Sequence, residues 1–291
     1  MNSEGSMKKY WLLIFTLGLL IITVFLICLD WQNTHRQFTF AMLEVGQGDG
    51  LFIQSPTGTQ VLVDGGPPNQ ILGRLSQVMS PFDRSIDAII ITNPDQDHIS
   101  GFLDVLKFYK VGEVFESGTW SDSKIYQNLE DEIKSKNIPD ILAKRGMRLD
   151  LGGGAVLDIL FPDRDVSGWQ TNDGSVVAKL TYGNTSIMLT GDATKLSERI
   201  VLSENTPQQM KSNILKVGHH GSNTSTSPEF LQAVAPTLAL ISVGQDNKYG
   251  HPKQETLNEL LQAGVKIFRT DQLGSIILKS DGKIENFKFI K

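Results

Sequence analysis

The chain of 291 residues is 40% hydrophobic and 20% charged, enough apolar material to bury a sizeable core without covalent staples. A formal charge of −5 supplies no overall basic field for drawing in nucleic acid, which leaves only a local basic groove for that role. Cys28, the one cysteine, lies in an apolar run, so neither a disulfide framework nor a cysteine-based zinc site forms within one chain.

In chain order, residues 1–10 read as a polar tail and residues 11–29, WLLIFTLGLLIITVFLICL, carry no charge. As a helix this run would be about 28 Å long, enough to span a hydrocarbon core. Lys8 and Lys9 precede it, which predicts a cytoplasmic N-terminus with everything after Asp30 on the outer side. A cleaved signal peptide fits less well, because the run exceeds the usual apolar region and no A-x-A pattern follows. Residues 30–37 read as a polar linker to one domain over residues 38–291.

Within that domain short β-rich runs alternate with helical ones. FTFAMLEV, LFIQ, TQVLVD and AIIIT are predicted strands, followed by a helix from Ile99 to Tyr109 and an amphipathic surface helix from Asp122 to Asn137. Gly152, Gly153 and Gly154 mark a turn. VLDILFP, SVVAKLTYG, TSIMLTGD, ILKVG and LALISVG continue the strands, with helices from Lys195 to Ser203 and from Pro228, where Ser227 is a cap. Two sheets covered by helices is the economical α+β arrangement.

Chemistry concentrates at strand ends. Asn93-Pro94-Asp95-Gln96-Asp97-His98 leaves the AIIIT strand with two carboxylates and an imidazole in four residues, and carboxylates so crowded repel unless a cation lies between them. Asn-Pro-Asp is also ordinary turn chemistry, and the later motifs decide against that reading. His219 and His220 follow ILKVG; adjacent side chains diverge, so one is expected at a metal and the other as a proton donor. Asp192 closes TSIMLTGD and suits a bridge between two ions, and His251 follows LALISVG with Lys248 and Tyr249 placed to contact a phosphate. Asp64 ends another strand and can orient a ligand by hydrogen bonding. Gly46-Gln47-Gly48-Asp49-Gly50 opens no helix, so it reads as a hairpin turn rather than a phosphate loop.

Taken together, LEVGQGDG, VLVDGG, ITNPDQDHISG, LTGD, LKVGHHGS and VGQDNKYGHP, in that order, resemble the extracellular metallo-β-lactamase-like domain of ComEC-type DNA-uptake competence proteins over about residues 38–290. The resemblance implies a four-layer αβ/βα sandwich with metal bound at one edge, and a phosphodiesterase acting on DNA. It departs from that family in three ways: Asn93 stands where a histidine is usual, Ser100 where a glycine is usual, and one apolar span where a many-helix channel is usual. The expected metal ligands are Asp95, Asp97, His98, Asp192, His219 and His251, holding one or two divalent ions, Zn²⁺ or Mn²⁺ with Mg²⁺ as a further candidate. The expected catalytic groups are Asp97, His219, His220 and Lys248. The expected partners are DNA or another phosphodiester or ester, the membrane through the N-terminal helix, and a separate DNA-channel protein. Two alternatives stand beside this reading: a hydrolase of a non-nucleic-acid ester or lactone, and a metal-binding module impaired by Asn93.

Overall fold

The structure is a computed structural model that describes residues 3–34, 37–283 and 285–291. Two compact units divide the chain, Met1–Arg36 and Gln37–Lys291. The first contains helix α1 (Ser3–Thr34), in which side chains are described for residues 9–25; the large apolar ones from Tyr10 to Phe25 are exposed. The expected span over residues 11–29 lies partly outside those described side chains. Among the described residues no helix is long and apolar enough to cross a membrane.

The second unit is built on two sheets. Strands Phe38–Met42 (β1), Leu51–Gln54 (β2), Gln60–Val63 (β3), Ser85–Ile91 (β4), Lys110–Glu116 (β5) and Asp140–Leu142 (β6) form most of the first. The second takes Arg148–Gly152 (β7), Ala155–Phe161 (β8), Val177–Tyr182 (β9), Thr185–Leu189 (β10), Ile214–Lys216 (β11), Leu238–Ile241 (β12) and Lys266–Arg269 (β13). Ser275–Ser280 (β14) and Glu285–Ile290 (β15) return to the first sheet. The orders among the described residues are β15-β14-β1-β2-β3-β4-β5-β6 and β13-β12-β11-β10-β9-β8-β7.

Period-two alternation explains the layering. Phe38, Phe40 and Met42 of β1, Leu157 and Ile159 of β8, and Ile187 and Leu189 of β10 meet in one core between the sheets. Ala41, Phe52, Leu62 and Ile89 point the other way, onto helices Ile71–Leu75 (α2), Gln96–Phe108 (α3) and Lys124–Ser135 (α4). Met188, Leu215, Ala239 and Ile241 do the same beneath Lys195–Glu204 (α5), Pro207–Met210 (α6), Pro228–Val234 (α7) and Gln254–Gln262 (α8), with Thr270–Leu273 (α9) leading into β14. The expected sandwich of two sheets and flanking helices is therefore present, each buried large apolar side chain contributing about 1.5–3 kcal/mol.

Several boundaries differ from the sequence reading. The helix expected from Ile99 begins at Gln96, which puts Asp97 and His98 in its first turn. The helix expected from Asp122 to Asn137 runs Lys124–Ser135, because Ser123 caps it by accepting from the Tyr126 amide. Ser227 caps α7 as expected, accepting from the Phe230 amide. The LEVGQGDG segment does join antiparallel β1 and β2, but as a loop over residues 43–50 rather than a tight turn.

Candidate metal centre

Strand direction brings the motifs together. β3 and β4 run parallel, as do β10, β11 and β12, so their carboxyl ends open on shared edges of the two sheets. Asp64 follows β3, Asn93 to Asp97 follow β4, Asp192 follows β10, and His219 and His220 follow β11. Ligand sites at the carboxyl ends of parallel strands are common in such sheets because loops there are free to vary.

Asp64 is fully buried and its backbone is left-handed, at φ 58°. It accepts from the Thr92 amide (2.9 Å), the Thr92 hydroxyl (2.6 Å) and His98 Nδ1 (2.8 Å). The carboxylate places the imidazole proton on Nδ1 and leaves the Nε2 lone pair facing the cleft. Burial raises the Asp64 carboxyl above its ordinary range against the opposing charge of His98. His98 itself is held well above the ordinary imidazole range: burial pushes it down, but the carboxylates of Asp192 and Asp64 outweigh that.

His219 and His220 both have left-handed backbones, at φ 48° and 53°. Such residues cost about 1–2 kcal/mol each, and this pair turns two neighbouring rings toward one point. Each Nε2 lies 3.7 Å from Asp192 Oδ2, and His98 Nε2 lies 3.2 Å from the same oxygen. The expectation that the two rings diverge is thus corrected by the backbone. His220 is buried, donates from Nδ1 to the Ser242 carbonyl (2.9 Å) and sets Nε2 against Asp97 Oδ2 (3.3 Å). His219 is more open, with Nδ1 3.1 Å from the Thr224 hydroxyl, and burial lowers it below the ordinary imidazole range.

Asp192 is buried, yet the charges of His98 and His220 hold its carboxyl well below the ordinary range. Asp97 is lowered as well, its contact with His220 and the charges of both histidines outweighing burial. Asp97, His98 and His220 offer ligand atoms within 4.8 Å of one another. Of the pair, His220 joins such a group among the described residues, whereas His219, the expected ligand, does not.

The remaining expected residues take other places. Asp95 caps α3 by position, without a side-chain cap bond; burial raises its carboxyl, and Thr171 hydrogen-bonds to it. Asn93 is buried and spent on neighbours: Nδ2 donates to Ser175 Oγ (3.3 Å) and Oδ1 accepts from the Asp95 amide (2.9 Å). The His251 ring lies edge-on to His219 at 5.6 Å and stacks with Tyr249 at 5.9 Å, and burial with nearby His219 lowers it to about 4. Lys248 is exposed, its ammonium 5.1 Å from the Tyr249 ring centre. Neither Asp95 nor His251 joins a three-residue ligand group among the described residues.

Two buried residues escaped the sequence reading. Asp49 and Lys216, both fully buried, form an ion pair. Lys216 also donates to the Gly191 carbonyl (2.7 Å) and faces Asp192 Oδ1 at 3.8 Å. A lysine ending an apolar strand was the available signal.

The donor set fits a divalent cation. Nε2 of His98 and Nε2 of His220 are buried without a hydrogen-bond partner, an arrangement that is costly unless something binds those lone pairs. Mixed imidazole and carboxylate donors suit Zn²⁺, Mn²⁺ or Fe²⁺.

Residues 43–245 match the model of the metallo-beta-lactamase superfamily. The chain is 32% identical over 270 residues to ComE operon protein 3 of Bacillus subtilis (strain 168), covering 84% of this chain and 33% of that protein. It is 28% identical to Competence protein ComA of Neisseria gonorrhoeae (66% of this chain, 25% of that one) and 27% identical to Recombination protein 2 of Haemophilus influenzae (83% and 29%). The chain thus spans about a third or less of the length of these relatives. Among solved structures it is similar to CmlA, a diiron beta-hydroxylase from Streptomyces venezuelae, with a TM-score of 0.56 at 15% identity, covering 85% of this chain and 55% of that one. With its two-sheet sandwich, strand-end ligand cluster and competence-protein relatives, the chain belongs to the metallo-beta-lactamase superfamily.

Proposed function

We propose that this chain is a metal-dependent phosphodiesterase that acts on DNA outside the membrane in connection with DNA uptake. The observation that carries the hydrolytic reading is the grouping of Asp97, His98 and His220, with Nε2 of both histidines unpartnered and 3.2 and 3.7 Å from Asp192 Oδ2. The names of the relatives, two of them competence proteins or parts of a competence operon, support the DNA role. A divalent ion held by these four residues would supply Lewis acidity toward an ester oxygen and a more acidic water.

The chain's own residues divide the rest of the work. Asp64 and the Ser242 carbonyl fix the tautomers of His98 and His220. His219, kept neutral by burial and more open than His220, is suited to take a proton from water and return it to the leaving oxygen. Lys248 and Tyr249 extend from His219 through His251 and supply a positive charge and a ring face for a nucleotide. In this reading residues 11–29 anchor the chain in the membrane with residues 1–10 inside, residues 30–37 are a linker, and residues 38–291 form the hydrolase outside, beside a separate channel protein.

The deciding experiment incubates the purified full chain with single- and double-stranded DNA under Mn²⁺ and Zn²⁺. Nucleotide release that vanishes in Asp97→Ala is the expected result; no release from either DNA overturns the DNA reading. Asn93 favours a second reading, a metal-binding module without turnover, which predicts a retained ion and no hydrolysis of any phosphodiester.

A further inference from the structure

Four groups of potential ligand residues occur among the described residues. One of them, Glu116, Glu130 and Asp140, is not built from the strand-end ligands of the cleft. The other three overlap there: Asp97, His98 and His220; Asp49, Asp192 and His220; and Asp49, Asp64 and His98. They are not equally free. In the last, His98 already donates Nδ1 to Asp64, so that nitrogen has no lone pair for a metal. In the second, the Lys216 ammonium sits against Asp49, with the Gly191 carbonyl at 2.7 Å and Asp192 Oδ1 at 3.8 Å. A carbonyl and two carboxylates around one small cation is the donor set of a divalent oxygen site, and here the cation is covalent. The amide of Asn93 is likewise engaged, with Ser175 and with the Asp95 backbone.

We propose that the centre binds a single divalent ion, on Asp97, His98, His220 and Asp192 Oδ2, and that the Lys216 ammonium takes the place of a second cation between Asp49 and Asp192. Asp192 is then shared between a metal on one oxygen and an ammonium on the other. A compact point charge is required, since the pocket is fully buried and lined with single oxygens rather than with a carboxylate fork. The inference rests on the cleft being a metal centre, but not on the identity of the substrate.

Metal stoichiometry tests it without reference to activity. The full chain in detergent is equilibrated with Mn²⁺, freed of unbound ion and subjected to elemental analysis. One equivalent is expected in the parent and two in Lys216→Ala, where loss of the ammonium opens a space bounded by Asp49, Asp192 and the Gly191 carbonyl. Lys216→Met, which fills that space without charge, and the Lys216→Ala, Asp49→Ala double variant are expected to stay at one. Two equivalents in the parent, or one in a folded Lys216→Ala, overturns the proposal. Zero in the parent overturns the metal-centre reading together with it. Should Lys216→Ala fail to fold, Asp49→Asn decides: one retained equivalent agrees with Asp49 as partner of the lysine, and loss of the ion makes Asp49 a ligand and ends the proposal.

Discussion

Asp64 accepts three hydrogen bonds, two from Thr92 and one from His98. Replacing one of its oxygens by an amide nitrogen in Asp64→Asn sets donor against donor or forces the His98 tautomer to change. Loss of an orienting partner of this kind typically weakens metal binding by about 10–100-fold. Competition against a chelator measures it, and an unchanged affinity would mean that His98 is held by its packing alone. A pH dependence follows from the same residues. With His98 and His220 both raised above the ordinary imidazole range by neighbouring carboxylates, a proton competes with a cation for each Nε2. Metal affinity is therefore expected to fall as pH falls, by about tenfold per pH unit for each proton displaced. Titration of binding constants against pH checks this; a flat profile between about pH 6 and 8 contradicts it.

At the scale of elements, α3 is pressed onto the loop after β3. Gly101 donates its amide to the Gly66 carbonyl, the Gly65 amide donates to the His98 carbonyl, and a Cβ built on Gly101 would lie 2.0 Å from the Gly65 carbonyl oxygen. Gly101→Ala must push the helix that carries Asp97 and His98 away from Asp64. A loss of about 1–3 kcal/mol is expected in chemical denaturation, with weaker metal binding alongside. A second junction, where β5, α4 and β6 meet, gathers Glu116, Glu130 and Asp140. Burial, with Asp140 and Glu130 as neighbours, pushes Glu116 up to about 8, and burial with Asp140 pushes Glu130 up to about 7. A carboxyl whose folded value lies above its unfolded value binds its proton more tightly when folded. Its contribution to stability is complete below the ordinary value of 4.5 and is lost as pH rises through about 8. Glu116→Gln is therefore expected to melt higher than the parent near about pH 8.5 and equally near about pH 4. Each kcal/mol regained corresponds to about 2–4 °C in a domain of this size. Equal melting temperatures at the higher pH would show that the cluster is already relieved.

At the scale of the molecule, an ion bound only by the folded state links the two sheets, since Asp97 and His98 belong to one and Asp192 and His220 to the other. At a free-ion concentration of about one hundred times Kd, this linkage adds about 2.7 kcal/mol. Chelation is expected to lower the melting temperature, and Asp97→Ala is expected to make that temperature insensitive to chelator. The proposed anchor belongs to this scale too. Removal of residues 1–36 is expected to release the protein from membrane fractions into solution, and continued membrane association would assign that role to another surface.

Much of this was legible in the chain. Short β-rich apolar runs marked β1 to β4 and β8 to β12, Ser227-Pro228 marked a helix start, and crowded carboxylates before His98 marked a cation site, because each signal is local chemistry. β5, β6, β7, β13, β14 and β15 went unmarked: β6, β7, β13 and β15 are the edge strands of the two sheets, β5 is half-exposed, and β14 pairs with β1, far along the chain. The centre shows the same division. Asp97, His98 and Asp192 could be named from spacing, whereas the grouping of His220 rather than His219 with Asp97 and His98 depended on the left-handed backbone and on the burial of His220. Asp49 looked like turn chemistry and Lys216 like the end of a strand. Their pairing is a contact between residues 167 positions apart (216 − 49) that only the packing of one sheet against the other creates. Residue types and spacing determined which chemistry is present; the tertiary fold decided which atoms face one another, and with them how many cations the centre has room for.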